Sequence, residues 1–363
     1  MPSKDQEKMH KIMKKFKYGV VVFSFIFLFF GVAKITLGLS VSDLPIPTQI
    51  PDLEEQIDVT VNPEFPRPGD QVKITLDAFG TDLNNATITW TVDGKVAEQG
   101  KGQISLTFTA GNAGRQSNIK VTVQPVNSRL VTKSFVITPQ SVDVVWEAQT
   151  YTPPFYKGKA MYTPQEKLVF VAMPNFIQGN SIVGPDTVTY KWKEDLTVEG
   201  NRSGYGVQRF DYRGGILMRP VDIGVEVSTQ NGLGAENHVI LGPTSPEVTL
   251  YENSPLYGIL FNKEISRNFE FGSAEERSIA AFPYFFGATD RNDPDLSYKW
   301  TINGNAINVP KDQTDMTFRN TENLEGKSII GIVVNNISNF LEEAKSAMII
   351  DFKRPGKSSL FSL

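Results

Sequence analysis

The stretch Ala86–Gly94 reads ATITWTVDG, and related stretches recur at Thr187–Asp195 (TVTYKWKED) and Leu296–Gly304 (LSYKWTING). Each copy alternates apolar and polar residues around a Trp, which predicts a half-buried strand. The first and third copies end in Asp-Gly and Asn-Gly, which favour a hairpin turn. The copies lie roughly 100 residues apart, about the length of one β-sandwich domain. We therefore predict three sandwiches, whose central strands carry the buried core residues Trp90, Trp192 and Trp300.

Other short alternating segments, separated by Gly, Pro, Asn and Asp, fill the chain between these copies. Their number and spacing are typical of immunoglobulin-like sandwiches, so we predict an all-β chain of three tandem domains behind an N-terminal transmembrane helix. The predicted domains are residues 57–140, 141–246 and 247–352. Short proline-containing joints at 138–140 and 242–246 indicate a semi-rigid row of domains.

The composition restricts the chemistry available to the chain. The 363 residues include no cysteine, which excludes disulfides, thiolate catalysis and Cys-ligated metals. An exported protein without disulfides is typical of bacteria rather than animals. The two histidines are His10, near the N-terminus, and His238, which we place on the surface of a strand rather than in a catalytic triad.

The N-terminus indicates a membrane location. Residues 1–17 form a basic tail, and residues 18–41 form an apolar run broken by Lys34. Roughly 20 apolar residues cross a bilayer, and preceding positive charge keeps the N-terminus inside. We predict a single-pass anchor in the cytoplasmic membrane, with the domains outside the cytoplasm. A cleaved signal peptide, with Gly38-Leu39-Ser40 near the cleavage site, is the alternative and would make the protein secreted.

The stretches before and after the predicted domains have the composition of spacers. Residues 42–56 contain three prolines and predict an extended linker, and residues 353–363 predict a disordered tail. The chain has a net charge of −4, and because the part through Val41 carries +5, about −9 remains on residues 42–363. This acidic balance argues against nucleic-acid binding. The expected partners are the membrane and other envelope or surface proteins, and the oligomeric state is left open.

The residues W-T-[VI]-[DN]-G in copies one and three, together with the Asx-rich turns before them at 79–85 and 286–293, give a family resemblance. The chain resembles the bacterial immunoglobulin-like and PKD-like domains that occur in tandem on surface proteins. The resemblance covers most of residues 57–352. It implies a fold and a cell-surface location, and it implies no activity.

One loop is a candidate metal site. Residues 290–295 contain the oxygen-bearing side chains of Asp290, Asn292, Asp293 and Asp295. Dense oxygen ligands suit Ca²⁺. The alternative is that these Asx side chains cap their own turn around Pro294. No other cofactor is expected.

An aromatic segment is the candidate ligand surface, and it comprises Trp146, Tyr151, Phe155, Tyr156 and Tyr162. Aromatic side chains with polar neighbours bind sugars and peptides. A comparable segment follows the first strand of the third domain, with Tyr251, residues 255–258 and Phe261. This repetition favours a structural insertion that packs on a sandwich or a domain joint.

Acidic residues offer the remaining chemistry. The adjacent pairs Glu54/Glu55, Glu275/Glu276 and Glu342/Glu343 fall in predicted loops or exposed turns and are expected to be solvated. A glycosidase needs two carboxylates that face one cleft, whereas adjacent residues on a strand point to opposite faces. We expect no enzymatic activity and a role as stalk, scaffold or adhesion module. The alternative is a structural subunit of a secretion or pilus assembly. A more remote one is a carboxylate-based hydrolase that uses Asp143, Glu147 and Asp211.

Overall fold

The computed structural model describes residues 57–126, 128–272, 274–322 and 325–352. They belong to one contact unit of the chain. The predicted anchor, the linker before Ile57 and the C-terminal tail lie outside these residues. Within the described ranges, no helix is long and apolar enough to cross a membrane. The described residues form antiparallel sheets almost throughout, which confirms the all-β prediction.

Segment 1 is the name used for residues 57–137. Its strands are β1 (Ile57–Asn62), β2 (Gln71–Ala78), β3 (Thr87–Val92), β4 (Lys95–Lys101), β5 (Ser105–Thr109), β6 (Ser117–Gln124) and β7 (Val131–Ile137). They form two sheets, in the orders β1-β2-β5 and β4-β3-β6-β7. Alternate residues of both sheets enclose one apolar core around Trp90.

Segment 2 comprises residues 141–241. Its strands are β8 (Ser141–Ala148), β9 (Lys167–Asn175), β10 (Ile177–Gln178), β11 (Ser181–Ile182), β12 (Thr189–Glu194), β13 (Thr197–Val198), β14 (Gly204–Tyr205), β15 (Arg209–Arg213), β16 (Val221–Ser228) and β17 (Gly234–Leu241). The sheets run β15-β9-β8 and β13-β12-β16-β17, with β14 paired to β12 and a separate β10–β11 hairpin. Two 3₁₀ turns lie at Pro185–Thr187 and Gly200–Arg202. A second core surrounds Trp192.

Segment 3 comprises residues 247–352. Its strands are β18 (Glu247–Ser254), β19 (Gly258–Glu264), β20 (Asn268–Glu270), β21 (Glu276–Tyr284), β22 (Leu296–Ile302), β23 (Asn305–Ala306), β24 (Asp315–Arg319), β25 (Gly326–Asn336) and β26 (Glu343–Phe352). The sheets run β19-β18-β21-β24 and β20-β26-β25-β22-β23, and β20 pairs with β26 in parallel. The third core surrounds Trp300.

The three Trp strands occupy equivalent places. Strands β3, β12 and β22 each lie between two neighbours, and Trp90, Trp192 and Trp300 are fully buried. A buried indole N–H needs an acceptor. Each indole N–H finds its acceptor two residues before a strand of the opposite sheet, namely β5, β15 or β24. The acceptors are the carbonyls of Gln103, Val207 and Gln313, at 2.9, 3.0 and 2.8 Å. Each Trp therefore links the two sheets by packing and by one hydrogen bond.

All three Trp strands end in the same kind of turn. The central residues have positive φ angles, 50° and 79° at Asp93-Gly94 and 50° and 82° at Asn303-Gly304. Two-residue hairpins of this kind match the twist of the flanking strands. The second copy lacks the glycine, yet Asp195 and Leu196 adopt φ values of 46° and 72°. Pairing of β12 with β13 imposes on Leu196 a conformation that glycine adopts more readily.

Candidate functional site

The joint between segments 2 and 3 brings together two regions that the sequence presents as separate candidates. An open cleft of about 760 Å³ is lined by residues of both segments. Segment 2 contributes Tyr151 from the aromatic segment, and segment 3 contributes Asp290 and Asp293 from the acidic loop. Glu166 and Arg213 add charge of both signs to the lining.

The acidic loop is held by its own hydrogen bonds. Asp290 Oδ1 accepts from the Asn292 backbone N–H at 2.6 Å. Asp293 Oδ2 accepts from the N–H and hydroxyl of Thr289, and its Oδ1 accepts from the Asp295 N–H at 3.0 Å. Burial alone would raise the pKa of Asp293, but these hydrogen bonds outweigh it and hold that pKa below its ordinary value. The geometry is that of Asx side chains capping a turn.

A calcium site in this loop remains a prediction. In the ranges that the structure describes, no group of three or more His, Cys, Asp or Glu side chains is arranged to hold a metal ion. Calorimetry at millimolar Ca²⁺ tests the loop directly. An unchanged melting temperature would remove Asp290, Asn292, Asp293 and Asp295 as ligands.

The five aromatic residues of the candidate ligand surface lie in different surroundings. Trp146 is half-buried beneath Lys159, whose Nζ lies 3.3 Å from the ring centroid. Tyr162 is buried in the core of segment 2. Phe155 and Tyr156 pack against segment 3, and Tyr151 lines the cleft. The structure therefore does not assemble these residues into one platform.

Phe155 and Tyr156 belong to an aromatic cluster, here called the joint cluster, that spans segments 2 and 3. Phe155 stacks on Phe261 with ring centroids 3.6 Å apart and contacts Tyr251 and Phe282 edge-on at 5.7 and 5.8 Å. Tyr156 contacts Tyr284 edge-on at 5.6 Å. Aromatic pairs in such geometries contribute about 0.5–1.5 kcal/mol each beyond their area burial. The two aromatic insertions that the sequence shows thus pack on each other.

Backbone hydrogen bonds fix the same insertion to segment 3. The Tyr151 N–H donates to the Phe286 carbonyl, and the Phe285 N–H donates to the Tyr151 carbonyl, both at 2.7 Å. The Thr244 N–H in the connection donates to the Tyr162 carbonyl at 2.7 Å. These bonds resemble a short strand pairing between the two segments.

A buried carboxylate completes the joint. Glu342 is 1% exposed and accepts hydrogen bonds from the Thr163 hydroxyl at 3.0 Å, the Gly287 N–H at 2.9 Å and the Asn336 amide at 2.8 Å. Thr163 belongs to segment 2, and the other donors belong to segment 3. Burial raises the pKa of Glu342, and the charge of nearby Glu166 acts in the same direction, while the hydrogen bonds oppose both.

Asn339 extends this network. Its buried side-chain amide donates to the Pro164 carbonyl at 3.0 Å and to Glu166 Oε1 at 3.2 Å. Gly287 lies against Glu166 so closely that an added Cβ would fall 2.2 Å from the Glu166 carboxyl carbon. Segments 2 and 3 therefore approach each other closely at Gly287 and Glu166.

The expectation that Glu342 is solvated is wrong. The loop between β25 and β26 folds against segment 2 and carries Asn339 and Glu342 inward, next to Asn336 at the end of β25, while Glu343 remains exposed and pairs with Lys345. Glu342 ends the loop and Glu343 begins β26, so the two adjacent carboxylates lie in different surroundings. The three-residue spacing of Asn336, Asn339 and Glu342 was the available signal. Such spacing in a loop is too common to predict burial.

The residues considered for hydrolysis lie on an open surface. Glu147 and Asp211 both pair with Val169, from opposite sides, and Asp143 lies farther along β8. All three are exposed, and Asp211 is bound to Arg209 at 2.7 Å. His238 is an exposed strand residue 3.1 Å from Asp222. His238 and Asp222 line a second cleft of about 390 Å³, between segments 1 and 2, with Phe65 and Arg67.

No protein-family model matches the chain, and no curated protein matches it. Among solved structures, the three N-terminal domains of the Hoc capsid protein of bacteriophage RB49 share 12% identity, with 82% of this chain and 98% of that chain covered and a TM-score of 0.23. The central fibronectin-III array of RIM-binding protein shares 11% identity, with 81% and 95% covered and a TM-score of 0.27.

The fibronectin(III)-like modules of CbhA from Clostridium thermocellum share 12% identity, with 52% of this chain and 94% of that chain covered and a TM-score of 0.25. Similarity at these TM-scores carries no functional argument. The assignment of the fold rests on the facing antiparallel sheets and the three Trp-centred cores. The described residues form tandem β-sandwiches, in each of which two mainly antiparallel sheets face each other as in immunoglobulin-like domains.

Proposed function

We propose that this chain is a non-enzymatic, membrane-anchored extracytoplasmic protein of a bacterial cell. Three domains, residues 57–140, 141–246 and 247–352, act as a stalk or scaffold that holds a binding surface away from the membrane. The observation that carries this proposal is the buried joint between segments 2 and 3, in which Glu342 and the joint cluster tie two sandwiches together.

A stalk or scaffold must resist bending between its domains. Interfaces between domains of one chain usually permit relative motion unless they are large and apolar. Here an aromatic cluster, paired backbone groups and a buried carboxylate act together. Each intramolecular hydrogen bond contributes about 0.5–1.5 kcal/mol net, and each aromatic contact adds a similar amount, so opening this joint is unfavourable at several positions at once.

Distance distributions between paired spin labels test this rigidity. The chain contains no cysteine, so single-cysteine substitutions place the labels without a background. Met173→Cys with Lys299→Cys reports on segments 2 and 3, and Lys120→Cys with Met173→Cys reports on segments 1 and 2. These positions are exposed strand residues. A narrow distribution is expected for the 173/299 pair, and a broad one would contradict a rigid scaffold.

Membrane anchoring needs its own test. Fractionation of cells that produce the full chain, with intact-mass measurement, separates the two readings of residues 18–41. An uncleaved chain in the membrane fraction supports the anchor. A soluble chain shortened near Ser40 would replace the anchor with a signal peptide.

A subunit of an envelope assembly is the second candidate, favoured by the hairpin between β18 and β19. Its tip exposes the side chains of Leu256 and Tyr257. Exposed apolar side chains of this size are typical of docking surfaces. A pull-down from native envelope with wild type and Leu256→Ser/Tyr257→Ser tests this role. Identical partners for both proteins would exclude the hairpin as the contact.

A further inference from the structure

Three large apolar side chains are exposed at one end of segment 1. Phe79, in the connection from β2 to β3, is 91% exposed, and Val126 and Leu130, in the connection from β6 to β7, are 63% and 55% exposed. The two connections face each other across a small cleft of about 260 Å³ lined by residues of both. These side chains are here called the apolar end.

Strand register places the start of β1 at this same end. Ile57 pairs with Ala78, directly before Phe79. The Lys133 ammonium contacts the Ile57 carbonyl, and Lys133 lies close to the start of β7, which follows Leu130. The chain therefore enters segment 1 beside the apolar end.

Segment 1 contacts segment 2 through its opposite end. The connection between β1 and β2 carries Arg67, whose guanidinium donates to the Glu236 carbonyl of segment 2 at 3.0 Å. The apolar end thus lies at the end of segment 1 opposite its contact with segment 2, and it is the end at which β1 begins.

The sequence before Ile57 gives the length of chain between the apolar end and the predicted anchor. The apolar run 18–41 is separated from Ile57 by residues 42–56 alone. Fully extended, a linker of this length reaches at most about 50 Å. A chain anchored through residues 18–41 therefore keeps the apolar end within reach of the same bilayer.

We propose that the apolar end inserts Phe79, Val126 and Leu130 into the interfacial region of the bilayer that anchors the chain. The inference rests on the proposed anchoring. Its two connections carry one acidic and one basic residue, Asp82 and Arg129, so their formal charges balance. The Asp82 carboxylate already accepts hydrogen bonds from Asn84 and Asn85 within its own turn. Insertion therefore depends on apolar burial and needs no anionic lipid.

The expected strength of membrane binding follows from the number of inserted side chains. Three inserted side chains give marginal, reversible membrane binding, comparable to that of a single acyl chain. The anchor makes the second contact intramolecular, which raises the effective strength roughly 10²–10⁴-fold. The apolar end thus remains inserted in the anchored chain and would detach in a chain without the anchor. The first domain would then stand on the membrane rather than move freely on its linker.

Nitroxide accessibility in the full chain, reconstituted in phosphatidylcholine nanodiscs, tests the inference. A label at Val126→Cys is expected to be more accessible to oxygen than to an aqueous nickel complex. The matched control is a label at Glu64→Cys, an exposed residue of the β1–β2 connection at the opposite end, which is expected to be fully aqueous. Phe79→Ser in the Val126→Cys background should lower the ratio of inserted to free label roughly tenfold.

Each other outcome has a defined meaning. Two aqueous labels in a chain that remains in the nanodisc would overturn the insertion and leave the anchor intact. A chain that washes out of the nanodisc would overturn the proposed anchoring. Insertion that appears only after phosphatidylserine is added would overturn the apolar mechanism. Dipolar broadening of the spectrum of the 126 label would show that a second copy of the chain, and not the bilayer, covers the apolar end.

Discussion

Three residues, 138–140, connect β7 to β8, whereas five, 242–246, connect β17 to β18. The longer connection nevertheless belongs to the more extensively bonded joint. Between segments 1 and 2, the buried Gln140 amide exchanges two hydrogen bonds of 2.9 Å with the backbone of Ile177, and Arg67 reaches Glu236. The 390 Å³ cleft lies beside these contacts. Between segments 2 and 3, Glu342 and the joint cluster lie in a packed interface.

The difference shows that side chains across a joint, and not the length of the connection, determine how firmly two sandwiches are coupled. Proline-containing connections restrict the conformation of the backbone locally, but they bury little surface between the domains. The insertion at residues 149–166 supplies what the second joint has and the first lacks. Segment 1 carries no comparable insertion between its first two strands.

The largest expected effect comes from removing a Trp. Trp→Ala at position 90, 192 or 300 should destabilise its own segment by about 3–5 kcal/mol, because a large buried side chain is lost. Trp192→Ala should also lower the melting temperature of segment 3 through the shared joint, whereas Trp90→Ala should leave segments 2 and 3 unchanged. Calorimetry combined with hydrogen exchange resolves the segments. Three independent responses would contradict the coupling.

The joint can be weakened without touching either core. Glu342→Ala leaves the donors of Thr163, Gly287 and Asn336 without their acceptor, so we expect a loss of about 3 kcal/mol in the free energy of unfolding. Segments 2 and 3 should then unfold in separate transitions. The exposed neighbour Glu343 provides the control, since Glu343→Ala should change stability by less than about 0.5 kcal/mol. Equal effects of the two substitutions would exclude a special role for Glu342.

The pH dependence of the joint has a defined sign. Burial raises the folded-state pKa of Glu342 above its ordinary value of 4.5, so the folded protein holds that proton more tightly than the unfolded chain. The stabilisation due to this shift is complete below pH 4.5 and is lost as the pH rises through the raised pKa. The Glu342→Gln variant has no titrating carboxyl group at this position and serves as the reference. Chemical denaturation should show that wild type gains stability relative to Glu342→Gln as the pH falls from 7 to 4.5, and a gain in the opposite direction would refute the assignment.

The smallest effect is expected at the turn beside the first joint. Leu196 is 88% exposed, lines the cleft between segments 1 and 2 and has a φ of 72°. Leu196→Gly should raise stability by up to about 1 kcal/mol, because glycine adopts this conformation without a Cβ penalty. The reverse changes Gly94→Leu and Gly304→Leu should lower it, because both glycines have positive φ angles. Neither position has a neighbour within 4 Å of an added Cβ, so the loss would come from the backbone conformation and not from a clash. A loss of stability in Leu196→Gly would show that this side chain contributes to the first joint.

Much of the fold could be predicted from local patterns. Alternation around Trp90, Trp192 and Trp300 indicates a half-buried strand because the side-chain period of a strand is two residues. Asp-Gly and Asn-Gly indicate the turns because they tolerate positive φ. The turn at Leu196 could not be predicted, since pairing of β12 with β13 overrides the preference of Leu. The acceptors of the three indole N–H groups lie 13 to 15 residues farther along the chain and depend on how the two sheets face each other.

The candidate site was less predictable. The sequence identifies Phe155 and Phe261 as members of two similar insertions, but their contact depends on how segments 2 and 3 meet. Glu342 lies 179 residues from Thr163, and no local pattern marks a carboxylate whose donors come from two segments. The acidic loop at 290–295 shows the reverse case. Its hydrogen bonds join residues within four positions of each other, so sequence reasoning could name the turn as an alternative to calcium.

The amino-acid sequence is sufficient to predict the β class, the three Trp-centred strands and the hairpin turns with Gly, and its lack of cysteine excludes disulfides. These properties follow from residue type and from spacings of a few residues. Three other properties are visible only in the folded protein: the aromatic insertions pack on each other, Glu342 is buried while Glu343 is solvated, and Phe79, Val126 and Leu130 share one end of segment 1. Each of these depends on residues that are distant in the chain, and only the packing of complete sheets and segments brings them together.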